Sequence, residues 1–350
     1  MNDHHQPVAG ILFCTGSLLL FAIQDALIKQ LSQRYPVLEV LTLRSLIVLL
    51  LLVTIAVALY GRGVIVGRQH RLMMLRGVLA FFAFTSYYMA LKTIPLADAA
   101  SVYMSAPLFV TLLSGLLLRE RVGMHRWISV TVGFCAVLII LNPGSSLFRI
   151  EAAIPLFSAL CYAMIPIINR RIGLSEHAMT MGIYTTAVFF TLVSLLSLAV
   201  NFLPAPAPGN AIVDGLFQPW SSMTGSDLAL SFLAGVVFSG ALLSITQAYR
   251  IAVVSTVAPF EYSYLLWVTM LGYLLFGDIP GPRTIFGAAL VVLCGLYIIY
   301  REQPRRALSA HKKRNHQGIP TRHRPRRRNG QRSHRRRPVP LRRFAQQALL

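Results

Sequence analysis

Charged residues are scarce in this sequence. Only 13% of its 350 residues are charged, against about 25% in soluble domains, while 55% are hydrophobic and the mean hydropathy is +0.61. The charges are also unevenly distributed, because residues 301–350 hold 17 of the 33 Lys and Arg residues and a single acid, Glu302. The first 300 residues are therefore a nearly neutral, very apolar body. This composition excludes an ordinary soluble domain, and it excludes a chain that binds nucleic acid over its whole length.

Motifs for hydrolytic, metal and nucleotide chemistry are absent. The sequence has no His-Glu-x-x-His, no Gly-x-Ser-x-Gly, no Asp-rich diphosphate motif and no P-loop, and its nine histidines all fall in terminal segments or predicted loops. A membrane-embedded metalloprotease or serine protease would need a histidine within a span. The sequence therefore predicts no enzyme, no cofactor and no bound metal, and any transport would draw on a gradient and not on ATP.

Long apolar stretches dominate the first 300 residues. About 20 apolar residues in a helix cross a bilayer, and helices are favoured because an unpaired backbone amide in hydrocarbon costs several kcal/mol. The sequence predicts an all-α membrane protein with ten transmembrane helices, at residues 8–29, 38–60, 72–92, 96–118, 125–142, 151–169, 178–201, 228–249, 254–276 and 283–300.

The Lys and Arg residues of the loops predict the orientation. With ten spans both termini lie on one side, and the short loops on that side carry ten Lys and Arg residues against five on the other. The positive-inside rule then places both termini in the cytoplasm, with the protein in the cell inner membrane. The Arg-rich tail, residues 301–350, is too charged to form a core, so we expect it to be disordered and attracted to anionic lipids.

The sequence also matches itself at an offset of 158 residues, which pairs Ser105 with Ser263. Two Leu-rich helices can match by chance, but the topology favours a repeat, because each half holds five spans and the second half must then be inverted. The sequence therefore predicts two inverted five-helix repeats, residues 8–142 and 151–300, a common plan in secondary transporters. The same register makes further pairs: Ala90 with Ala248, Lys92 with Arg250, Ala100 with Ala258, Thr111 with Thr269 and Glu120 with Asp278.

Three parts of the sequence resemble a known family: Pro95–Glu120, Ala258–Asp278, and Arg44 following Pro36 in the second span. On these, residues 11–141 and 153–300 are each similar to one EamA-type repeat of the drug/metabolite transporter superfamily, and most similar to its S-adenosylmethionine and riboflavin uptake branch. The resemblance implies ten helices in two inverted bundles and transport of small organic solutes. The Arg-rich tail departs from this pattern.

Glu261 is the strongest candidate for a functional ionisable group. It lies seven residues into the ninth span, about 10 Å from the cytoplasmic end, where an ionisable side chain costs about 2.5–3.5 kcal/mol. We expect Glu261 to contact the solute or to couple a proton, with Tyr262 and Tyr264 as hydroxyl donors. The alternative is a permanent pair with a neighbouring helix. Tyr103 takes the corresponding place in the first repeat.

Asp25, Lys29 and Arg44 form a second candidate group toward the outer side. Asp25 and Lys29 are four residues apart on one face of the first helix, so they can pair. Arg44 lies at a similar depth in the second span, where it can pair with Asp25 or hold an anionic group of the solute. Functional and structural roles are both open for Asp25, whereas a structural role is favoured for Lys29. Gln24 is a weaker candidate.

These features favour a secondary active transporter that moves a small organic metabolite, such as S-adenosylmethionine, riboflavin or an amino-acid derivative, across the inner membrane by alternating access. An exporter of amino acids or drug-like cations would use the same carboxylate, and a non-transporting membrane scaffold would act through the basic tail. The partners to expect are the small organic solute, protons or another coupling ion, anionic lipids at the tail, and a second copy of the chain in a homodimer.

Overall fold

The computed structural model describes residues 7–117, 124–141, 150–172, 175–203, 211–252, 257–297 and 300. Within these ranges the chain is predominantly helical and contains no strand. The Arg-rich tail lies outside the described residues, so its disorder and its attraction to lipids stay predictions.

Helices occupy the described parts of all the apolar stretches predicted from the sequence. Short 3-10 helices cover Arg62–Ile65, Ile150–Ala153 and Ala258–Tyr262. The α-helices are α1 (Pro7–Ser32), α2 (Val37–Tyr60), α3 (His70–Leu91), α4 (Leu96–Tyr103), α5 (Ala106–Leu117), α6 (Met124–Leu141), α7 (Ile154–Ile172), α8 (Ala178–Phe202), α9 (Ala211–Leu216), α10 (Gly225–Ile251), α11 (Ser263–Phe276) and α12 (Pro282–Tyr297).

Several of these helices are long and apolar enough to cross a membrane, so the chain is an all-α, multi-pass membrane protein. Three other described helices are apolar but shorter, at Trp127–Leu141, Ile154–Asn169 and Pro282–Tyr297. The six that meet the length and composition of a span are Val8–Ser32, Val37–Tyr60, His70–Leu91, Leu96–Leu117, Ala178–Phe202 and Gly225–Tyr249.

Two of the predicted spans contain an irregular segment. The fourth is divided at Met104 and Ser105 into α4 and α5. Pro107 accounts for this break, because proline has no N–H to donate to the carbonyl four residues earlier, that of Tyr103. In the ninth, the 3-10 helix Ala258–Tyr262, with its proline in the first turn, leads directly into α11.

Several of the helices pack closely against one another. Gly10 near the start of α1 lies against Ala252, which follows the end of α10, and these two helices form an extensive contact. At the contact of α3 with α8, a methyl group on Gly77 would lie 2.5 Å from Cβ of Val188. Small residues allow such close approach between helices in a membrane. The largest apolar core joins residues of α1, α2, α3, α4, α8, α10 and α11, and it surrounds the candidate residues of the first repeat.

Candidate functional site

Asp25 lies at the centre of a hydrogen-bonded network that joins both halves of the chain. The side chain is 5% exposed. The Tyr88 hydroxyl of α3 donates to Oδ1 at 2.8 Å, and the Tyr264 hydroxyl of α11 donates to Oδ2. The Tyr264 oxygen is also 3.0 Å from the Tyr87 hydroxyl. Two phenols from different helices therefore satisfy a carboxylate that is almost fully buried.

Arg44 of α2 completes this network from the opposite side. Its Nη1 donates to the Tyr88 hydroxyl at 3.3 Å and to Oε1 of Gln24 at 3.4 Å. The guanidinium also faces the ring of Phe238 at 4.6 Å and that of Phe189 at 5.6 Å, an arrangement typical of cation–π contacts. Nε has no hydrogen-bond partner among the described residues. Arg44 is thus held by neutral groups and by aromatic faces.

The direct pairs expected around Asp25 are replaced by other contacts. Among the described residues, no ion pair within 4.0 Å joins Asp25 to Arg44; Tyr88 stands between them. Lys29 does not pair with Asp25 either. Its Nζ forms an ion pair with Asp278 at 2.8 Å and donates to the carbonyl of Ile94 at 3.2 Å. Asp25 and Lys29 lie on one helical face, but Lys29 pairs instead with a carboxylate of the segment that follows α11.

Glu261 lies on the 3-10 helix that precedes α11. Its carboxylate accepts a hydrogen bond from the hydroxyl of Tyr249 on α10. The donors expected from the sequence point elsewhere, since Tyr264 bonds to Asp25 and the Tyr262 hydroxyl packs against Gly295 of α12. This difference follows from the local geometry, because neighbouring residues of a 3-10 helix project about 120° apart. Adjacent side chains therefore reach different helices.

Tyr103, the last residue of α4, belongs to a row of aromatic rings. Its ring centroid is 4.9 Å from that of Tyr87 and 5.5 Å from that of Tyr162. Tyr162 in turn contacts Phe84 at 6.3 Å and keeps 36% of its surface exposed. The row begins at the Asp25 network, through Tyr87, and ends at Tyr162, a partly exposed residue. These rings offer flat apolar faces with polar edges.

The structure therefore brings Asp25 and Arg44 into one network, links Tyr103 to it through Tyr87, and places Glu261 beside Tyr249. Sequence reasoning missed the phenols of Tyr87, Tyr88, Tyr162 and Tyr249, which are the contacts of the predicted residues. The consecutive tyrosines 87 and 88 within an apolar stretch were the available signal. The described residues contain no group of three His, Cys, Asp or Glu side chains that could hold a metal ion.

Comparison with known proteins agrees with this architecture. The EamA-like transporter family matches residues 8–142. Over 304 residues the chain is 28% identical to the S-adenosylmethionine uptake transporter of Rickettsia prowazekii, covering 87% of this chain and 97% of that one. It is 30% identical over 230 residues to the riboflavin transporter of Rhizobium johnstonii, covering 66% and 70%.

A third relative is named for export. The pseudopaline exporter of Pseudomonas aeruginosa is 27% identical over 290 residues, covering 81% of this chain and 94% of that one. The matches confirm the resemblance that the sequence carries, and they place the chain among transporters and not among enzymes. The chain belongs to the EamA-like transporter family of the drug/metabolite transporter superfamily.

Proposed function

We propose that this protein is a secondary active transporter that moves a small organic metabolite by alternating access. One observation carries the proposal: the carboxylates of Asp25 and Glu261 both lie between helices, and their hydrogen-bond donors are tyrosine hydroxyls. Within the described residues neither forms an ion pair. Ionisable groups inside a membrane protein mark solute and ion pathways, and these two are available to a cation or a proton.

The proposed architecture is ten transmembrane helices in two inverted five-helix repeats. The contacts between helices support this architecture. When each helix is replaced by its counterpart in the other half, the same pairs of helices are in contact. The contact of α1 with α10 corresponds to that of α7 with α3, and the contact of α2 with α10 corresponds to that of α8 with α3. The contact of α1 with α11 likewise corresponds to those of α7 with α4 and α5. Such pairs are expected when two inverted halves rock about a site between them.

The proposed orientation places both termini in the cytoplasm of a cell whose inner membrane holds the protein. The Lys29–Asp278 pair then lies at the outer end, where the backbone N–H of Leu96 also donates to Asp278 at 3.4 Å. At the same end Leu96 of α4 packs against Gly272 of α11. These contacts favour a conformation that is closed toward the outside. The basic tail would lie beside the anionic inner leaflet.

The substrates we propose to test are S-adenosylmethionine and riboflavin, for which two of the relatives are named. Two features support a cationic or ring-bearing solute. Glu261 and Asp25 supply negative charge, and the row from Tyr87 through Tyr103 to Tyr162 supplies aromatic faces for a ring or a sulfonium group. The relatives include an exporter, so direction is expected to follow the coupled gradient, with protons as the first ion to test.

The test is uptake of the two radiolabelled solutes by proteoliposomes that contain the purified full-length protein, with and without an imposed proton gradient. We expect wild-type protein to accumulate one solute and Glu261→Gln to reduce its rate by about 10- to 100-fold, the value of a charged hydrogen bond. Deletion of residues 305–350 should leave the rate within twofold. The reverse result, activity lost with the tail and kept in Glu261→Gln, would contradict the proposal and favour a membrane scaffold.

A further inference from the structure

Two serines occupy matching places in the two irregular segments. Ser105 immediately precedes α5, and Ser263 is the first residue of α11, after the 3-10 helix. The offset of 158 residues pairs them, just as it pairs Tyr103 with Glu261 two residues earlier. Each serine therefore lies two residues after a member of the proposed transport site, Tyr103 or Glu261.

Neither serine hydroxyl has a hydrogen-bond partner among the described residues, although both are buried oxygen atoms. Ser105 is fully buried, with 0% of its surface exposed. In a regular helix a serine donates to the carbonyl four residues earlier, as Ser101 does to Ala97 at 2.7 Å. At both breaks the backbone departs from this pattern, because the N–H of Ser105 bonds to the carbonyl of Val102 and that of Ser263 to the carbonyl of Phe260, each three residues earlier. Buried polar atoms without a partner are rare in native proteins and need an explanation.

A third unpartnered group lies on the same face of α11 as Ser263. Trp267 follows Ser263 by four residues, and its buried Nε1 has no acceptor among the described residues. A buried indole N–H usually finds one. The indole can only donate, whereas a serine hydroxyl can both donate and accept. The two irregular segments are linked through Tyr87, whose ring lies 4.9 Å from that of Tyr103 and whose hydroxyl oxygen is 3.0 Å from that of Tyr264. The three groups on these segments match a ligand edge that carries hydrogen-bond acceptors beside a donor.

We propose that Ser105, Ser263 and Trp267 bind the polar edge of a heterocyclic ring of the transported solute. This inference rests on the proposed function and narrows its substrate class. A purine or an isoalloxazine has such an edge, with ring nitrogens or carbonyls as acceptors. Its flat face fits the neighbouring row of tyrosine rings, which Tyr103 joins two residues before Ser105. If the solute also carries a cationic group, that group binds to Glu261, two residues before Ser263.

The experiment measures KM and maximal rate in proteoliposomes for radiolabelled riboflavin and S-adenosylmethionine. Ser105→Ala, Ser263→Ala and Trp267→Phe should each raise KM by about 3- to 10-fold, the value of one neutral hydrogen bond, with the maximal rate unchanged. Lumiflavin and adenine, the isolated rings, should inhibit wild-type protein and should inhibit the variants more weakly by the same factor. Ser263→Thr keeps the hydroxyl and should keep the wild-type KM.

Two matched controls separate a binding role from a packing role. Ser101→Ala removes a hydroxyl that already has a partner in α4. Ser194→Ala removes a buried hydroxyl that has no partner among the described residues and lies in α8, outside both irregular spans. Both should leave KM within twofold. If the three variants behave like these controls while wild-type protein transports a probe, the inference is overturned and the proposed function stands. If wild-type protein transports neither probe, the proposed substrates and this inference fall together.

Discussion

Tyr88 separates Arg44 from Asp25: its hydroxyl accepts from the guanidinium at 3.3 Å and donates to the carboxylate at 2.8 Å. The Tyr88 hydroxyl thus forms a hydrogen-bonded bridge between two buried charged groups that are not in direct contact. Removal of the hydroxyl would leave both charges short of a partner, which is costly in a medium that offers no water.

Tyr88→Phe should therefore destabilise the protein by about 1–3 kcal/mol and lower the transport rate. The measurement is thermal unfolding in detergent together with uptake. Tyr184→Phe is the matched control, because its hydroxyl bonds to His70 at 3.0 Å in an exposed setting, and its effect should stay within about 0.5 kcal/mol. Equal effects of the two substitutions would show that the Tyr88 hydroxyl has no special role.

Asp25→Asn keeps the shape of the side chain and removes its charge. We expect uptake to fall by about 10- to 100-fold while the protein still purifies as a single species. Glu39→Gln provides the comparison, since Glu39 is also buried but accepts from the backbone N–H of Ser221 at 3.1 Å near a helix start. That variant should transport at close to the wild-type rate. Unchanged uptake in Asp25→Asn would remove Asp25 from the proposed site.

The Lys29–Asp278 pair is expected to stabilise the closed outer end. Lys29→Met leaves a partly buried carboxylate without its cation and should cost about 2–3 kcal/mol, below the full value for a buried pair because Asp278 is 21% exposed. Lys29→Met combined with Asp278→Leu should recover most of the loss. Arg34→Met, which breaks the 3.7 Å contact of an arginine that is 67% exposed with Asp227, should change unfolding by at most about 0.5 kcal/mol.

The contact between Gly10 and Ala252 can be tested by exchanging the methyl group. Gly10→Ala would place two Cβ atoms in collision where α1 meets the end of α10, and overpacking of this kind costs about 1–3 kcal/mol. The double variant Gly10→Ala with Ala252→Gly moves the methyl group to the other helix and should restore stability. If the double variant is no more stable than Gly10→Ala, the two residues are not in contact.

The helices could be predicted because bilayer thickness and backbone hydrogen bonding act on each stretch separately. Asp25, Arg44 and Glu261 could be singled out for a similar reason, since an ionisable residue in an apolar stretch is conspicuous without its neighbours. The hydrogen-bond and ion-pair partners of these residues could not be predicted from the sequence. The rotation and tilt of each helix decide which side chains meet, as Lys29 and Asp278 do across 249 residues. The break at Met104 could not be predicted from hydropathy, because the stretch is apolar on both sides of it and hydropathy does not depend on the N–H that Pro107 lacks.

The break between α4 and α5 divides the fourth apolar stretch into two helical pieces. On one side of it, α4 is held at its first residue by the carboxylate of Asp278 and packs against α11. On the other side, α5 packs against α6, where Leu108 lies against Gly133. Since Pro107 donates no helical hydrogen bond across the break, we expect that α5 can change its tilt against α7 while α4 and the ion pair keep their positions. A few backbone dihedral angles at Met104 and Ser105 would absorb the motion, as hinges in proteins do.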